Sequence, residues 1–427
     1  MTPSRALFAV HLGVLGLFGC ERKTASTAPE PPLAATSTSA SASSSATTLT
    51  PTASASSTVA ATLPDTRPTQ PVVQQTLDCD NYFGCAVYAD SRVGCWGFNQ
   101  FGQLGVKPVA YPATARAIVP DLPSATAVAA GFTHACALTR DGEVYCWGTS
   151  DDGALGDGSP PPASGAPDHT IPPTRVPLDQ KAVDLDASIT QTCAALADGA
   201  VACWGRQVAD ASDTASSPTP VKVAGVTGAV EVATGESRAC SRSAKGDVTC
   251  WGRENFEAVA PHLVAGVCAR QLALSDDLCF VDCQGGVACV GNHPGSSLNA
   301  NDRDHVEVIA GFEEVVDLRA GLAHFIARTQ AGAVLTWGGN DSGQLGVGKP
   351  KSWTDAYSYV PVTVPASWKA DAICAGGIIA RPSGRPYLRA ATFLDTGSSC
   401  ARTTAGDVYC WGEPNLDYTP KKVSLPR

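Results

Sequence analysis

Residues 128–148 read VAAGFTHACALTRDGEVYCWG, and variants of this stretch recur along the chain. Cys136 and Cys146 stand ten positions apart, and Trp147-Gly148 follows directly. Between the cysteines, Arg140-Asp141-Gly142 is a turn signal flanked by apolar alternation, the pattern of a β-hairpin. Centring the hairpin on Asp141 pairs Thr139 with Glu143 and leaves a three-residue loop. The last residue of such a loop takes a left-handed conformation that glycine adopts without strain, and Gly142 holds that place. Counting outwards, Cys136 falls opposite Cys146 at a non-hydrogen-bonded pair. Cα atoms there lie about 4.5 Å apart, within reach of a cross-strand disulfide.

The other copies carry the same features. Cys85/Cys95, Cys193/Cys203, Cys240/Cys250, Cys279/Cys289 and Cys400/Cys410 repeat the offset, and Ile326/Thr336 is a seventh copy without thiols. Gly199, Gly246, Gly285, Gly332 and Gly406 recur at the left-handed place, with Ser91 as the exception. Trp96, Trp204, Trp251, Trp337 and Trp411 repeat the tryptophan, with Val290 as the exception. The register sets Trp147 across from Ala135 and Trp411 across from Ser399. Where Val290 replaces the ring, the expected neighbours Leu278 and Phe280 are bulky, so volume lost on one strand returns on the other.

An apolar segment precedes the hairpin (125–130, 229–234, 314–320), and another β-like segment follows it (174–178, 220–223). Seven copies of a four-stranded unit read as an all-β, seven-bladed β-propeller over residues 76–427. Residues 418–425 look like the segment that begins other copies, and the first copy lacks a clear version of it. The C-terminal strand is therefore expected to complete the first blade and close the ring, removing exposed edges. Cys79, Cys268, Cys283 and Cys374 remain, and four thiols allow three connectivities. Cys79 and Cys374 fall on corresponding strands of the first and last blades, which favours Cys79–Cys374 with Cys268–Cys283.

Composition bounds the compartment and the partners. The chain has 427 residues, 44% hydrophobic and 16% charged, with 41 glycines and 31 prolines, a turn-rich β composition. A net charge of -10 argues against nucleic acid, which needs a basic footprint. Seventeen cysteines without any CxxC point to disulfides in an oxidising compartment, with no metal and no cofactor expected. Arg5 precedes an apolar run, 6–18, too short to span a bilayer, so residues 1–19 read as a signal peptide. Leu17-Phe18-Gly19-Cys20 resembles the lipobox of bacterial lipoproteins, which implies cleavage before Cys20 and lipid attachment to it. Glu21 leans towards the outer membrane by the same resemblance. Residues 20–75 are rich in Ala, Ser, Thr and Pro and cannot bury enough apolar area to order, so they read as a disordered tether. The expected location is the bacterial cell envelope, with membrane contact through the lipid alone.

Asn99-Gln100-Phe101-Gly102-Gln103-Leu104-Gly105, Asn340-Asp341-Ser342-Gly343-Gln344-Leu345-Gly346 and Ala130-Gly131-Phe132-Thr133-His134 resemble the regulator-of-chromosome-condensation repeat. The resemblance covers the chain after the tether. It is strong in the first, second and sixth copies and degenerate in the fourth and fifth. It implies a seven-bladed propeller, in agreement with the count of cysteine pairs. In the founding eukaryotic members one face drives nucleotide exchange on a small GTPase and the other meets chromatin. An exported, acidic chain would meet neither partner.

Chemistry-bearing motifs are sparse. His134 and His324 are equivalent, and the resemblance implies a structural role for them. No Ser/His/Asp order, HExxH, P-loop or GxGxxG context occurs, so no enzymatic activity is expected. Asp151, Asp152 and Asp157 crowd one loop that could hold calcium but reads first as a solvated turn; Asp210 and Asp213 are weaker still. Between Gly376 and Ser398 an insertion carries Arg381, Arg385, Tyr387, Arg389 and Phe393, the composition of binding hot spots as well as of a loop packed on itself. The loop with Trp353, Tyr357 and Tyr359 reads as rim packing. The expected function is a surface-tethered, monomeric, non-enzymatic scaffold that recognises another protein or a cell-envelope component. The alternative is a carbohydrate or small-ligand binder, or a hydrolase, using the central channel. Replacing Cys20 by Ala should abolish metabolic palmitate labelling; labelling that persists would argue against the lipobox.

Overall fold

The computed structural model describes residues 67–426 apart from 68, 81, 110–113, 160–169, 190, 207–215, 255–256, 276, 292–304, 322, 351–355, 379–395 and 413–417. Its strands form seven antiparallel sheets, each of four strands consecutive in sequence. Blade 1 is Leu77–Cys79, Phe83–Val87, Val93–Phe98 and Thr114–Ile118; blade 2 is Ala125–Ala130, His134–Thr139, Val144–Thr149 and Thr170–Arg175. Blade 3 is Ala182–Ala187, Gln191–Leu196, Val201–Arg206 and Ser216–Lys222; blade 4 is Ala229–Thr234, Arg238–Ser243, Val248–Glu254 and Glu257–Leu263. Blade 5 is Ala269–Leu274, Leu278–Asp282, Val287–Val290 and Val306–Ile309; blade 6 is Val315–Ala320, His324–Thr329, Val334–Gly339 and Tyr357–Thr363. Blade 7 is Ala370–Ile378, Thr396–Thr403, Val408–Gly412 and Lys421–Val423. First strands of successive blades touch all the way round, blade 7 against blade 1 included, so the sheets make a closed propeller.

The middle hairpin of each blade has the register that the cysteine spacing predicts. Cys136 opposes Cys146, Ala135 opposes Trp147, Leu278 opposes Val290 and Ile326 opposes Thr336. Thr139 N–H donates to Glu143 O at 2.8 Å and Gly142 N–H to Thr139 O at 3.0 Å. Gly142 sits at φ 75° and Ser91 reaches φ 65° at the same place, a conformation glycine adopts freely and serine does not.

Each cysteine pair of this hairpin is a disulfide between directly opposed residues. Cys85–Cys95, Cys136–Cys146, Cys193–Cys203 and Cys400–Cys410 have Cα atoms 4.1 Å apart. Cys240–Cys250 and Cys279–Cys289 have them 4.0 Å apart. All six separations fall below the roughly 4.5 Å of an open non-hydrogen-bonded pair, since the bridge draws the two strands together. Cys95, Cys203, Cys250 and Cys289 lie on the third strands of blades 1, 3, 4 and 5, and all four are buried. Cys79–Cys374 and Cys268–Cys283 are also joined, with Cα atoms 5.7 and 5.6 Å apart.

A single blade cannot bury its own faces, so the core lies between blades. Seven apolar clusters of described residues correspond to the seven contacts between neighbouring blades. Each tryptophan packs against the blade before its own: Trp147 with Phe83 and Leu104, Trp411 with Ile326 and Val334. Middle strands such as His134–Thr139 are buried throughout, whereas fourth strands such as Ser216–Lys222 are mostly open to solvent.

Ring closure differs from the expectation. Lys421–Val423 pairs with Val408–Cys410 inside blade 7, and the fourth strand of blade 1 is Thr114–Ile118. The reason lies at the start of the chain. The short strand Leu77–Cys79 is already the first strand of blade 1, so every blade fills from consecutive segments and none is left over to exchange. The seam is instead held by Cys79–Cys374, by Tyr88 Oη–H donating to Pro426 O at 3.0 Å, and by Val423 and Leu425 packed with Trp96.

Cys79 and Cys374 are 295 residues apart in sequence, against 10 for Cys136 and Cys146. Chain entropy assigns about 6 kcal/mol to the longer loop and about 3 kcal/mol to the shorter. The double Ser variant at Cys79 and Cys374 should therefore lose about twice the stability of the double Ser variant at Cys136 and Cys146 in guanidinium unfolding. An equal or smaller loss would show that the seam holds without its bridge.

Candidate interaction face and central channel

The first strands line a central channel, and their exposed backbone edges face one another without pairing. A buried N–H left without an acceptor is costly, so side chains carry bonds across the gaps. Asp78 Oδ2 accepts from Ala130 N–H at 2.6 Å, and Asp184 Oδ2 from Val232 N–H at 2.9 Å. Glu231 Oε1 accepts from Leu272 N–H at 2.8 Å, and Gln271 Oε1 from Leu318 N–H at 3.0 Å. Asp186 Oδ2 accepts from Thr234 N–H at 2.6 Å and Thr234 Oγ1–H at 2.9 Å. Sequence reading passed over these residues. The available signal was an acid or amide recurring at the third place of an apolar first strand, as in Asp184, Glu231, Gln271 and Asp317.

The channel acids are matched by few bases. The Arg242 guanidinium, fully buried, pairs with Glu231, and Arg319 Nε lies 3.1 Å from Asp317 Oδ1. Burial, with Asp186 nearby, pushes the Asp78 carboxyl up to about 8. Burial raises Asp186 to about 6, and burial with Glu231 close by holds Asp184 well above the ordinary range.

The histidines and the loop motif serve the joints between blades. His134 Nε2 lies 2.9 Å from Thr192 Oγ1 in the next blade, and that hydroxyl donates to Ala154 O at 3.2 Å. Ser399 Oγ likewise lies 2.8 Å from His324 Nε2 and donates to Gln344 O at 2.9 Å. Because each hydroxyl proton is spent on a carbonyl, each histidine donates from Nε2. Burial pushes both rings down to about 4, which suits neutral joint residues. Asn99 and Gln103 fold their own loop by accepting from Leu104 N–H at 3.0 Å and Phe101 N–H at 2.9 Å. Asn340 and Gln344 repeat this with Leu345 at 3.1 Å and Ser342 at 2.9 Å.

Residues 67–75, assigned to the tether by composition, lie across the face that carries the hairpin turns. Arg67 pairs with Asp247 at 2.7 Å, Gln70 N–H donates to Ala244 O at 2.7 Å, and Arg242 Nη2–H donates to Pro71 O at 3.2 Å. Val128 N–H then donates to Gln75 O at 2.8 Å, and Arg319 Nη1–H to Gln75 Oε1 at 2.5 Å. The strap thus runs from blade 4 to the centre of the ring. A cavity of about 140 Å³ in the channel has Val73 and Gln75 of the strap among its lining and reaches Phe132, Ser188 and Gly376 at the opposite, loop-bearing face.

The first hairpin of blade 7 stands taller than its counterparts, with Gly376 opposite Ser398, Gly377 opposite Gly397 and Ile378 opposite Thr396. The strand ends that flank the insertion therefore stand by the channel mouth, where Gly376 and Gly377 line the cavity. Arg381, Arg385, Tyr387, Arg389 and Phe393 lie outside the described residues, as do Trp353, Asp210, Asp213 and Cys20. Near the same mouth, Tyr82 meets Phe98 and Phe132 edge-on at 5.4 and 6.1 Å, and Phe101 lies 6.5 Å from Phe132. Tyr357 and Tyr359 lean on each other at 4.6 Å on the rim. Asp157 spends its carboxylate on Ser159 N–H and Oγ–H, both at 2.9 Å. Among the described residues one group of possible metal ligands comes together, Cys79, Cys374 and Cys400, and all three sulfurs are in disulfides.

Comparison with known proteins places these features. The Regulator of chromosome condensation (RCC1) repeat matches residues 125–154 and 315–344 in one family description and 331–377 in another. The Regulator of chromosome condensation of Mus musculus is 33% identical over 109 residues, 26% of this chain and 25% of that protein. E3 ubiquitin-protein ligase HERC2 of Homo sapiens is 27% identical over 325 residues, 68% of this chain and 6% of that protein. The chain thus spans a quarter or less of these curated relatives. Among solved structures, Prp20p of Saccharomyces cerevisiae superposes with a TM-score of 0.62 at 18% identity, covering 83% of this chain and 87% of that one. Human WBSCR16 does so with a TM-score of 0.60 at 18% identity, covering 78% and 95%. At that identity the likeness is one of fold.

The channel acids make stability depend on pH. Asp78 and Asp186 have folded values above their ordinary 3.8, so the stability they contribute is complete below about pH 4 and is lost as pH rises through about 6 and about 8. Each extra proton held by the folded state lowers stability by about 1.4 kcal/mol per pH unit of rise. His134 and His324 act in the opposite sense, below their ordinary 6.5, which leaves the window from pH 6.5 to 8 to the channel acids, Asp78 and the raised Asp184. Asp78→Asn keeps an oxygen for Ala130 and removes the titration. Its Tm should fall less steeply across that window than that of the parent protein, and parallel slopes would contradict the assignment.

Proposed function

We propose that this chain, a seven-bladed propeller of regulator-of-chromosome-condensation repeats, is a non-enzymatic binding scaffold. It hangs from a lipid-bearing tether in the bacterial cell envelope, most simply at the outer membrane, and recognises another protein or an envelope component. One observation carries the reading: the strap and the two strand ends that flank the blade 7 insertion, Ile378 and Thr396, lie on opposite faces. The strap brings the N-terminal chain onto the hairpin-turn face through Arg67, Gln70 and Gln75. A disc held that way turns its loop face outwards, where the ends of the insertion, Ile378 and Thr396, project beyond the first strands of the ring.

Relatives of this fold support protein recognition in general. The solved yeast Prp20p is described by its binding to Gsp1p and histones, and yeast RCC1 has been solved with Kap60 bound. Those partners belong to those proteins. The buried acids of this chain's channel support the same reading, since each accepts a backbone N–H from the next blade, a use that holds the ring together. Pull-down from envelope extracts with the mature propeller, with and without residues 379–395, tests the proposal. Loss of the recovered partner on deletion is expected; undiminished recovery would remove the insertion as the binding element.

A further inference from the structure

Cys400 has a cysteine opposite it on either side. On the second strand of blade 7 it opposes Cys410 of the third strand and Cys374 of the first. Directly opposed residues point to the same face of a sheet, so the three side chains stand in a row. Cys79 of blade 1 meets the row from across the joint, and all four cysteines belong to one apolar cluster with Leu77, Trp96 and Val408. Two bridges use this row, Cys79–Cys374 across the seam and Cys400–Cys410 within the blade. The sulfurs of Cys79, Cys374 and Cys400 lie within 4.8 Å of one another. No other blade repeats the row. Opposite the bridged second-strand cysteine, the first strands of blades 1 to 5 carry Asp78, Ala129, Asp186, Ala233 and Ala273.

Disulfides exchange when a thiolate attacks a sulfur of an existing bridge, so exchange needs three sulfurs in reach of one another. A hairpin bridge opened in blade 2 finds only its own partner, because Cys136 has Ala129 on its other side. A thiolate on Cys400 instead has a second bridge beside it. Backbone alternation makes Cys374 and Cys400 a hydrogen-bonded pair, since Cys400 meets Cys410 at a non-hydrogen-bonded one. Cα atoms of such a pair lie about 5.5 Å apart, an ordinary span for a disulfide, so a Cys374–Cys400 bridge needs no movement of either blade.

We propose that the four seam cysteines form a thiol–disulfide exchange site whose substrate is a dithiol reductant, and that its turnover unlocks the seam. One thiolate of the dithiol attacks Cys410 Sγ; the Cys400–Cys410 bond breaks and Cys400 leaves as a thiolate. Cys400 then attacks Cys374 Sγ, a Cys374–Cys400 bond forms, and Cys79 leaves as a thiolate and takes a proton. The second thiol of the reductant attacks the reductant sulfur held on Cys410, which frees Cys410 as a thiol and the reductant as its disulfide. Two electrons and two protons have passed from the dithiol to Cys79 and Cys410. Blades 1 and 7 then share no covalent bond, and Tyr88 on Pro426 with the apolar cluster alone closes the ring. The site uses no residue of the blade 7 insertion and stands whichever partner the disc binds.

The test places a thiol on Cys400 without any reductant. Cys410→Thr gives blade 7 the residue that blade 6 carries at the equivalent Thr336, where a blade forms without the bridge. The full chain is held at weakly alkaline pH, then unfolded at weakly acidic pH with N-ethylmaleimide present, and capped and linked peptides are identified by mass spectrometry. At least half of the new capping is expected on Cys79, together with a peptide linking Cys374 to Cys400. Cys146→Thr is the control and should be capped on Cys136. Capping that stays on Cys400 or moves to Cys374 overturns the proposal, as does equal migration in the control. A second measurement stands if the variant fails to fold: titration of the parent chain with limiting dithiothreitol. The Cys79–Cys374 and Cys400–Cys410 linkages should disappear together as Cys374–Cys400 appears, and loss of one while the other stays whole overturns the proposal.

Discussion

The contact on which the ring rests is the burial of each hairpin's tryptophan against the blade before it. A four-stranded sheet has two faces and no core of its own, so its apolar residues are buried only when a neighbour covers them. Trp147 fills the joint with blade 1 and Trp411 the joint with blade 6, and where a ring is absent Val290 is backed by Leu278 and Phe280. Close packing demands this exchange of volume, because a void between blades would forfeit contacts that nothing else restores. The cross-strand disulfides hold the hairpins that present these rings: Cys95, Cys203 and Cys250 each directly precede a tryptophan, and Cys289 precedes Val290. Blade 6 presents Trp337 without one, from Ile326 opposite Thr336.

Apolar packing leaves the inner edges unresolved. Seven first strands converge on the axis with their backbone N–H groups turned towards strands that do not pair with them. Acids and one amide answer that demand, each reaching the next blade. The solution gathers several carboxyl groups in one buried channel, where desolvation pushes Asp78, Asp184 and Asp186 towards the neutral form, with repulsion from Asp186 adding at Asp78 and from Glu231 at Asp184. Structural need and pH sensitivity are thus two consequences of one arrangement. The channel of this protein is a joint before it is a passage.

The two faces of the disc are unlike. One carries the tight hairpin turns and the strap that crosses the axis from Arg67 to Gln75. The other carries the long loops, the aromatic cluster of Tyr82, Phe101 and Phe132, and the raised hairpin of blade 7. Between blades 7 and 1 the repeat is imperfect, since residues 413–420 contain no Gly-Gln-Leu-Gly. Departures from a repeat are where a repeat protein acquires properties its copies do not share.

Hairpin register was legible from the chain alone because it is local: a three-residue turn with Gly142 at its end sets Cys136 against Cys146, and six further copies obey the same count. The number of blades followed from counting, and the loop motifs carried the resemblance to the regulator-of-chromosome-condensation repeat. Tertiary structure alone decided what depends on partners distant in sequence. Asp184, Glu231 and Gln271 find their donors 48, 41 and 47 residues away, and no spacing announces such a bond. The place of Lys421–Val423 was of the same kind, since an outer strand looks alike in every blade and its sheet depends on where the ring begins. A strand's turn is written beside it; its neighbour across the ring is set by closure, which only the assembled molecule defines.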